Sequence, residues 1–198
     1  IKNIGAFTGR ANDTSAIKKL YVLIPYKSMD EIPKINTELF KDADVATKGA
    51  TYLDATFENP PYTTIVTYII EGFRFSPTLT LPKLTSSVDD KVYELRSYEG
   101  PTEKRYRKKV EMFNEGGEID LFARLNFNAV FYGEVISGPT MPNLMYMTSF
   151  ENKDDRDAHW KSFSNDPVWK DISTRQEYQK IVSKNVTLFL KAKSYSDY

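Results

Sequence analysis

Residues 91–100, KVYELRSYEG, alternate between apolar and polar side chains and are rich in β-formers, so a strand is expected over about Val92 to Tyr98, ended by Gly100-Pro101. Thr102 can then cap a helix in which Tyr106, Val110 and Phe113 recur at helical spacing until Gly116-Gly117 interrupts them. Leu121, Phe122 and Leu125 suit a short second helical piece. NAVFYGEVISG (128–138) and NLMYMTSFEN (143–152) read as two strands joined by a turn at Gly138-Pro139. The next helix should begin after Asn152, with Asp154 and Asp155 at its positive end and Trp160 and Phe163 on one face. Asp166-Pro167 restarts it and aligns Trp169 with Ile172, and VTLFLKAKSY (186–195) is the final strand. The order β-α-β-β-α-β is that of a ferredoxin-like unit, a four-stranded antiparallel sheet with its helices on one face and the other face bare.

The first half carries a weaker version of the same pattern. LYVLIPYKSMDEIPKINTELF (20–40) aligns with residues 144–163, setting Leu20 against Leu144, Tyr26 against Phe150 and Leu39 against Phe163. On that register IKNIGAF (1–7) matches the second strand and YTTIVTYIIEGF (62–73) the last. The chain is therefore read as α+β: an incomplete ferredoxin-like repeat over 1–74, a linker over 75–90, and a full unit over 91–198. The repeat lacks a counterpart of the first strand and helix, and that strand is central in such a sheet. Its loss leaves two inner edges unpaired, so residues upstream of Ile1, or another segment, are expected to fill the gap. A targeting signal, and hence export, would belong to the same upstream residues.

Composition narrows the classes of partner. The chain has 198 residues, with 27 basic and 27 acidic side chains, so no long-range field draws it to nucleic acid or to an anionic membrane. No apolar run approaches the ~20 residues of a membrane span. The basic run KRYRKK (104–109) has Glu103 and Glu111 four residues either side of Arg107, as on a solvated helix face. With no cysteine there is no thiolate nucleophile and no sulfur-ligated metal, and the aspartate pairs lack metal-loop spacing, so no metal site is expected.

Two places hold candidate chemistry. Alternation along the first strand of the second half puts Glu94, Arg96 and Tyr98 on one face and Tyr93, Leu95 and Ser97 on the other. If Leu95 meets the helices, the charged trio looks away from them, across the bare face. Arg96 could there hold an anionic or carbonyl ligand, with Glu94 orienting it and Tyr98 donating a hydrogen bond; the plainer reading is an internal salt bridge that fixes sheet register. Tyr132, Glu134, Tyr146 and Thr148 follow as lining candidates by the same alternation. The second place is DAHWKSFSNDPVWK (157–170), which contains the one histidine and both tryptophans. Trp160 is expected to pack in the core, and His159 sits about 100° around the helix from it, at the edge of the buried stripe.

Several of these stretches together resemble a NIPSNAP domain: VYELRSYEG (92–100), FNEGGEIDLFARLNF (113–127), PNLMYMTSFEN (142–152), and Arg156, His159, Trp160, Phe163, Asp166, Pro167 and Trp169. The likeness runs over residues 91–195, and the first half resembles the same fold more loosely, as in the family's tandem-repeat bacterial members. The resemblance implies a dimeric α+β barrel in which two ferredoxin-like sheets close over a shared interior, so that Glu94 and Arg96 would face that interior. It also implies kinship with antibiotic-biosynthesis monooxygenases, cofactor-free oxygenases that use the space between sheet and helices. NIPSNAP proteins have no established reaction. The expected role is therefore binding of a small ligand or protein partner by a homo-oligomer, without a cofactor; the alternatives are a cofactor-independent oxygenase and a purely structural assembly module. His159 is a candidate acid/base and, with Arg96 and Tyr98, a first residue to test for the oxygenase reading; in related barrels a histidine ligates haem, but no second histidine or cysteine supports His159 in that role.

Overall fold

The computed structural model describes residues 1–10 and 17–198. Among them, strands β1 (Gly5–Gly9), β2 (Leu20–Leu23), β3 (Ile69–Gly72), β4 (Val92–Glu99), β5 (Phe131–Ser137), β6 (Asn143–Phe150) and β7 (Lys184–Ala192) form one antiparallel sheet in the order β2-β1-β7-β4-β6-β5-β3. The helices are α1 (Glu31–Leu39), α2 (Ala43–Lys48), α3 (Ala50–Leu53), α4 (Glu103–Asn114), α5 (Glu118–Arg124), α6 (Lys153–Asn165) and α7 (Pro167–Thr174). The inner order β7-β4-β6-β5, with α4 to α7 in the connections, is the ferredoxin-like arrangement.

Local chemistry sets these boundaries. The Thr102 hydroxyl accepts from the Arg105 amide at the start of α4, and the Asn152 side chain accepts from the Asp155 amide at the start of α6. Asp166 accepts from the Val168 amide and Pro167 takes the first turn of α7, where its missing N–H costs nothing. Gly117 precedes α5 at φ 88°, a left-handed conformation that glycine adopts without steric penalty, and the turn separates α4 from α5.

Both faces of the sheet are buried, by different means. On one, Phe113, Phe122, Phe127, Tyr146, Phe150 and Phe163 form a core with Trp160 and Trp169 packed against it. On the other, Phe7, Tyr93, Leu95, Met145, Met147 and Leu190 form a second core, and residues from β2 (Tyr21, Leu23) and β3 (Ile70) pack onto it. The sheet curls about this second face, which is how Tyr93 and Leu190 are closed to solvent without a helix over them.

The strands of the first half do not build a sheet of their own. β1 joins β7 and β2 continues outward from it, while β3 joins β5 at the opposite end. β2 and β3 are not paired with each other. Both are shorter than the pattern predicts. β2 stops at Leu23 because its partner β1 begins at Gly5, opposite it; β3 starts only at Ile69 because β5 ends opposite it, at Ser137, before the turn at Gly138. A side chain at Gly133 would meet the Glu71 carbonyl at 2.5 Å, so glycine lets β3 lie close against β5. The segment 75–90 is docked: the Thr80 amide donates to the Val130 carbonyl, and the Thr85 and Ser86 amides donate to the Glu151 carboxylate at 2.9 and 2.7 Å.

Candidate functional site

Glu94 lies at the centre of the sheet and is completely buried. It faces the helices, and this corrects the expectation that Glu94, Arg96 and Tyr98 look away from them into the bare face. Tyr93 and Leu95 take the curled face instead. Alternation fixed which side chains share a face but not which face meets the helices, because β4 is buried on both sides. The partners decide it: from α6, Arg156 donates to Glu94 through Nε at 2.6 Å and Nη2 at 3.0 Å, and Trp160 Nε1 donates at 3.0 Å. Arg96 Nε donates to the same carboxylate at 2.6 Å. Burial alone would raise the Glu94 carboxyl, but the hydrogen bonds from Arg156 and the charges of both arginines outweigh it and hold the group below the usual carboxylate range.

Arg96 links this carboxylate to a row of phenols. Its guanidinium stacks 3.8 Å from the centre of the Trp160 ring, and Nη1 donates to the Tyr98 hydroxyl at 3.0 Å. The Tyr98 and Tyr146 hydroxyls are 2.9 Å apart, and the Tyr146 ring stacks on Tyr132 with centroids 5.7 Å apart. Burial pushes the Tyr146 and Tyr132 phenols well above their ordinary values, so both are neutral donors at physiological pH. Thr148, the cross-strand neighbour of Glu94, is fully buried, and its hydroxyl has no hydrogen-bond partner among the described residues.

Lys109 was expected on a solvated helix face and is instead buried beside this row. Its ammonium donates to Glu118 at 2.7 Å and lies 4.6 Å from the Phe113 ring and 5.5 Å from that of Tyr98. The other basic residues of the run face outward. Lys108 pairs with Glu111, and Arg107 with Glu134, the latter also accepting from the Tyr106 hydroxyl at 3.0 Å. Arg96 and Arg156 thus share the buried Glu94, Lys109 pairs separately with the buried Glu118, and the exposed Asp157 meets Arg156 at the rim.

The structure therefore brings Glu94, Arg96, Tyr98, Tyr132 and Tyr146 into one layer between sheet and helices, with Glu134 at its edge. His159 stands apart. Its Nδ1 is 2.8 Å from the Asp155 carbonyl and 3.1 Å from the Asp155 carboxylate, and its ring packs edge-on against Phe127. Sequence reasoning assigned no site role to Arg156 or Lys109. The signal for Arg156 was its place four residues before Trp160, which sets both side chains on one helical face. Among the described residues, no three or more His, Cys, Asp or Glu residues are placed to hold a metal ion, and no helix is long and apolar enough to cross a membrane.

No curated protein matches the chain. Among solved structures, it is similar over 95% of its length to 77% of a candidate monooxygenase from Lactobacillus acidophilus NCFM, with TM-score 0.56 and 12% identity. A candidate monooxygenase from Fusobacterium nucleatum gives TM-score 0.56 at 11% identity, over 96% of this chain and 74% of that one. At such identity the likeness shows the fold alone. An uncharacterised NIPSNAP-like domain protein from Burkholderia xenovorans is 18% identical, with TM-score 0.49, over 55% of this chain and 90% of that one. The NIPSNAP family model matches residues 93–197, which span all but the first residue of the ferredoxin-like unit's strands and the whole Glu94 layer, and the chain belongs to the NIPSNAP family.

Proposed function

We propose that the chain binds a small anionic or carbonyl-bearing ligand in the layer between sheet and helices, with Arg96 as the cation and Tyr98, Tyr146 and Thr148 as hydrogen-bonding groups. The observation that carries this reading is the partly buried Arg96 guanidinium beside a fully buried Thr148 hydroxyl that has no hydrogen-bond partner among the described residues. An unpaired buried polar group costs about 1 to 3 kcal/mol, which a bound oxygen atom would recover. The plainer role, fixing register, is also supported: Glu94 ties β4 to α6 whether or not a ligand binds. Homo-oligomer formation, and closure of the curled sheet by two ferredoxin-like half-units, belong to the same proposal.

A second reading is a cofactor-independent oxygenase acting on a phenol. The structural likeness to candidate monooxygenases supports it, as does the position of the arginine and tyrosines in the sheet–helix layer that cofactor-free oxygenases of this kind use. Arg96 would then stabilise a substrate phenolate before it meets dioxygen.

Native mass spectrometry of protein purified from its source tests the first reading. A retained small-molecule mass is expected, and it should be lost in Tyr98→Phe while the fold persists by circular dichroism. Ligand-free spectra of the wild-type protein, under conditions that keep other non-covalent complexes intact, would overturn it. Oxygen uptake with simple hydroquinones then separates enzyme from binder: consumption that falls in Tyr98→Phe supports the oxygenase, and none leaves a binding protein.

A further inference from the structure

The curled core holds two buried phenols whose hydroxyls nothing satisfies. The Tyr93 and Tyr198 oxygens are closed to solvent and have no hydrogen-bond partner among the described residues. Each side chain is set in place by its backbone. Tyr93 belongs to β4, and Tyr198 is carried back onto β1: the Ile4 amide donates to the Asp197 carboxylate at 2.7 Å, and the Asp197 amide donates to the Ile4 carbonyl at 3.0 Å. Both rings pack on Phe7, with centroids 5.0 and 5.4 Å from it, and they meet each other edge-on at 6.2 Å. Burial raises both phenols, and charge on Tyr93 raises Tyr198 further, so at physiological pH each is an O–H donor.

The surroundings specify the chemistry of a guest. Leu95, Met145 and Met147 belong to the same core, and the unbranched methionines can rearrange around an added molecule. Among the described residues the buried charged side chains, Glu94, Lys109 and Glu118, all lie on the helical side of the sheet. An ion inside the curl would therefore be buried without a partner, at prohibitive cost. A hydrocarbon would leave both hydroxyls unsatisfied. Water accepts two hydrogen bonds but brings two O–H groups of its own into apolar surroundings. A carbonyl oxygen accepts two and brings none. We propose that the curl binds a neutral, mainly apolar carbonyl compound of the aryl ketone class, whose oxygen accepts from Tyr93 and Tyr198. The site lies on the opposite face of the sheet from the Glu94 layer and does not rest on the ligand reading of that layer.

The probe is 1-tetralone, with tetralin as the same body lacking the oxygen. In calorimetric titration of the whole protein, tetralone should bind one-to-one and about tenfold tighter than tetralin, the effect of one to two hydrogen bonds. Tyr93→Phe and Tyr198→Phe should each weaken tetralone about tenfold and leave tetralin unchanged. On binding, the carbon-13 resonance of a labelled tetralone carbonyl should move downfield of its position in hexane, and less so in either variant. Tyr98→Phe, on the other face, should alter neither reading. Absence of tetralone binding at its solubility limit would overturn the proposal, as would tetralin binding equally well or both probes weakening alike in the two variants. Weakening by Tyr98→Phe and not by Tyr93→Phe would place the ketone in the sheet–helix layer and overturn it too.

Discussion

Arg156 grips Glu94 through two parallel hydrogen bonds, Nε to Oε2 at 2.6 Å and Nη2 to Oε1 at 3.0 Å, and so ties helix α6 to the centre of the sheet. The carboxylate also serves Arg96 and Trp160, and it is the buried anion that two partly buried guanidiniums share, Arg156 having Asp157 as a second, exposed partner. Removing one partner of a buried pair costs about 3 to 5 kcal/mol because an uncompensated charge remains. Glu94→Ala leaves Arg96 without a carboxylate and Arg156 with only the exposed Asp157, whereas Arg156→Ala leaves Arg96 to pair with Glu94. Glu94→Ala is therefore expected to be the more damaging of the two in urea unfolding, and an equal or smaller loss would show that Arg96 and Arg156 find other partners.

Trp160 has two roles that substitution can separate. Its ring packs against Phe127 and Phe163 and under the Arg96 guanidinium, and its indole N–H donates to Glu94. Trp160→Phe keeps most of the packing and loses the donor, with an expected cost of about 1.5 to 3 kcal/mol, typical of a hydrogen bond to a charged group. Trp160→Ala should cost about 3 to 5 kcal/mol. Equal losses in thermal unfolding would mean that the hydrogen bond carries the whole effect.

These partners show how far the sequence could be read. The second half was legible because each boundary has its own local chemistry: Thr102, Asn152 and Asp166 cap helices as their residue types predict. The orientation of β4 was not, since a strand buried on both faces alternates without saying which face meets the helices. That choice lies in residues 62 and 66 positions away, Arg156 and Trp160, and no local pattern reports such contacts. Lys109 was hidden for a related reason: it sits within a basic run whose other members are solvated, and its partner Glu118 lies beyond the Gly116-Gly117 turn. In the first half the pattern predicts β2 and β3 too long, because pairing length depends on where a distant partner ends, and it places the first strand at 1–7 where β1 is Gly5–Gly9.

Tyr93 presents the opposite case to Glu94. Its hydroxyl is buried in the curled core with no hydrogen-bond partner among the described residues, and burial pushes the phenol up to about 12. Removing an unsatisfied hydroxyl takes away its desolvation cost, so Tyr93→Phe should leave stability unchanged or raise it by about 1 kcal/mol. A clear loss in urea unfolding would reveal that the hydroxyl is satisfied in solution, for example by a molecule held inside the curl.

Glu151 offers a pH test of how the 75–90 segment is held. Ser86 and Thr85 lower its carboxyl from the ordinary 4.5 to about 2: both amides and the Thr85 hydroxyl donate to the carboxylate, and the Ser86 hydroxyl donates to the Glu151 main-chain carbonyl beside it. A carboxyl lowered by folding contributes stability that is complete above its unfolded value and is lost as pH falls through the folded one. Docking of the segment should accordingly hold at pH 5 and weaken between about pH 4.5 and 2. Amide resonances of Thr85 and Ser86 should titrate together over that window, and in Glu151→Gln they should not titrate there. Titration centred near 4.5 in the wild type would mean that the three hydrogen bonds do not persist in solution.

Lys109 and Glu118 form the second buried pair, at 2.7 Å, with Phe113 beside the ammonium and Met112 Sδ 3.3 Å from it. Either single change leaves a buried charge behind: Lys109→Met isolates the carboxylate and Glu118→Leu isolates the ammonium, each at an expected cost of about 3 to 5 kcal/mol. The double variant leaves no charge and fills the same space with apolar atoms, so it should recover most of the loss or exceed the wild type. The double-mutant cycle should then give an interaction energy of about 2 kcal/mol or more. If the double variant instead loses the sum of the singles, each side chain acts independently. The buried lysine would then owe its place to the Tyr98 and Phe113 rings.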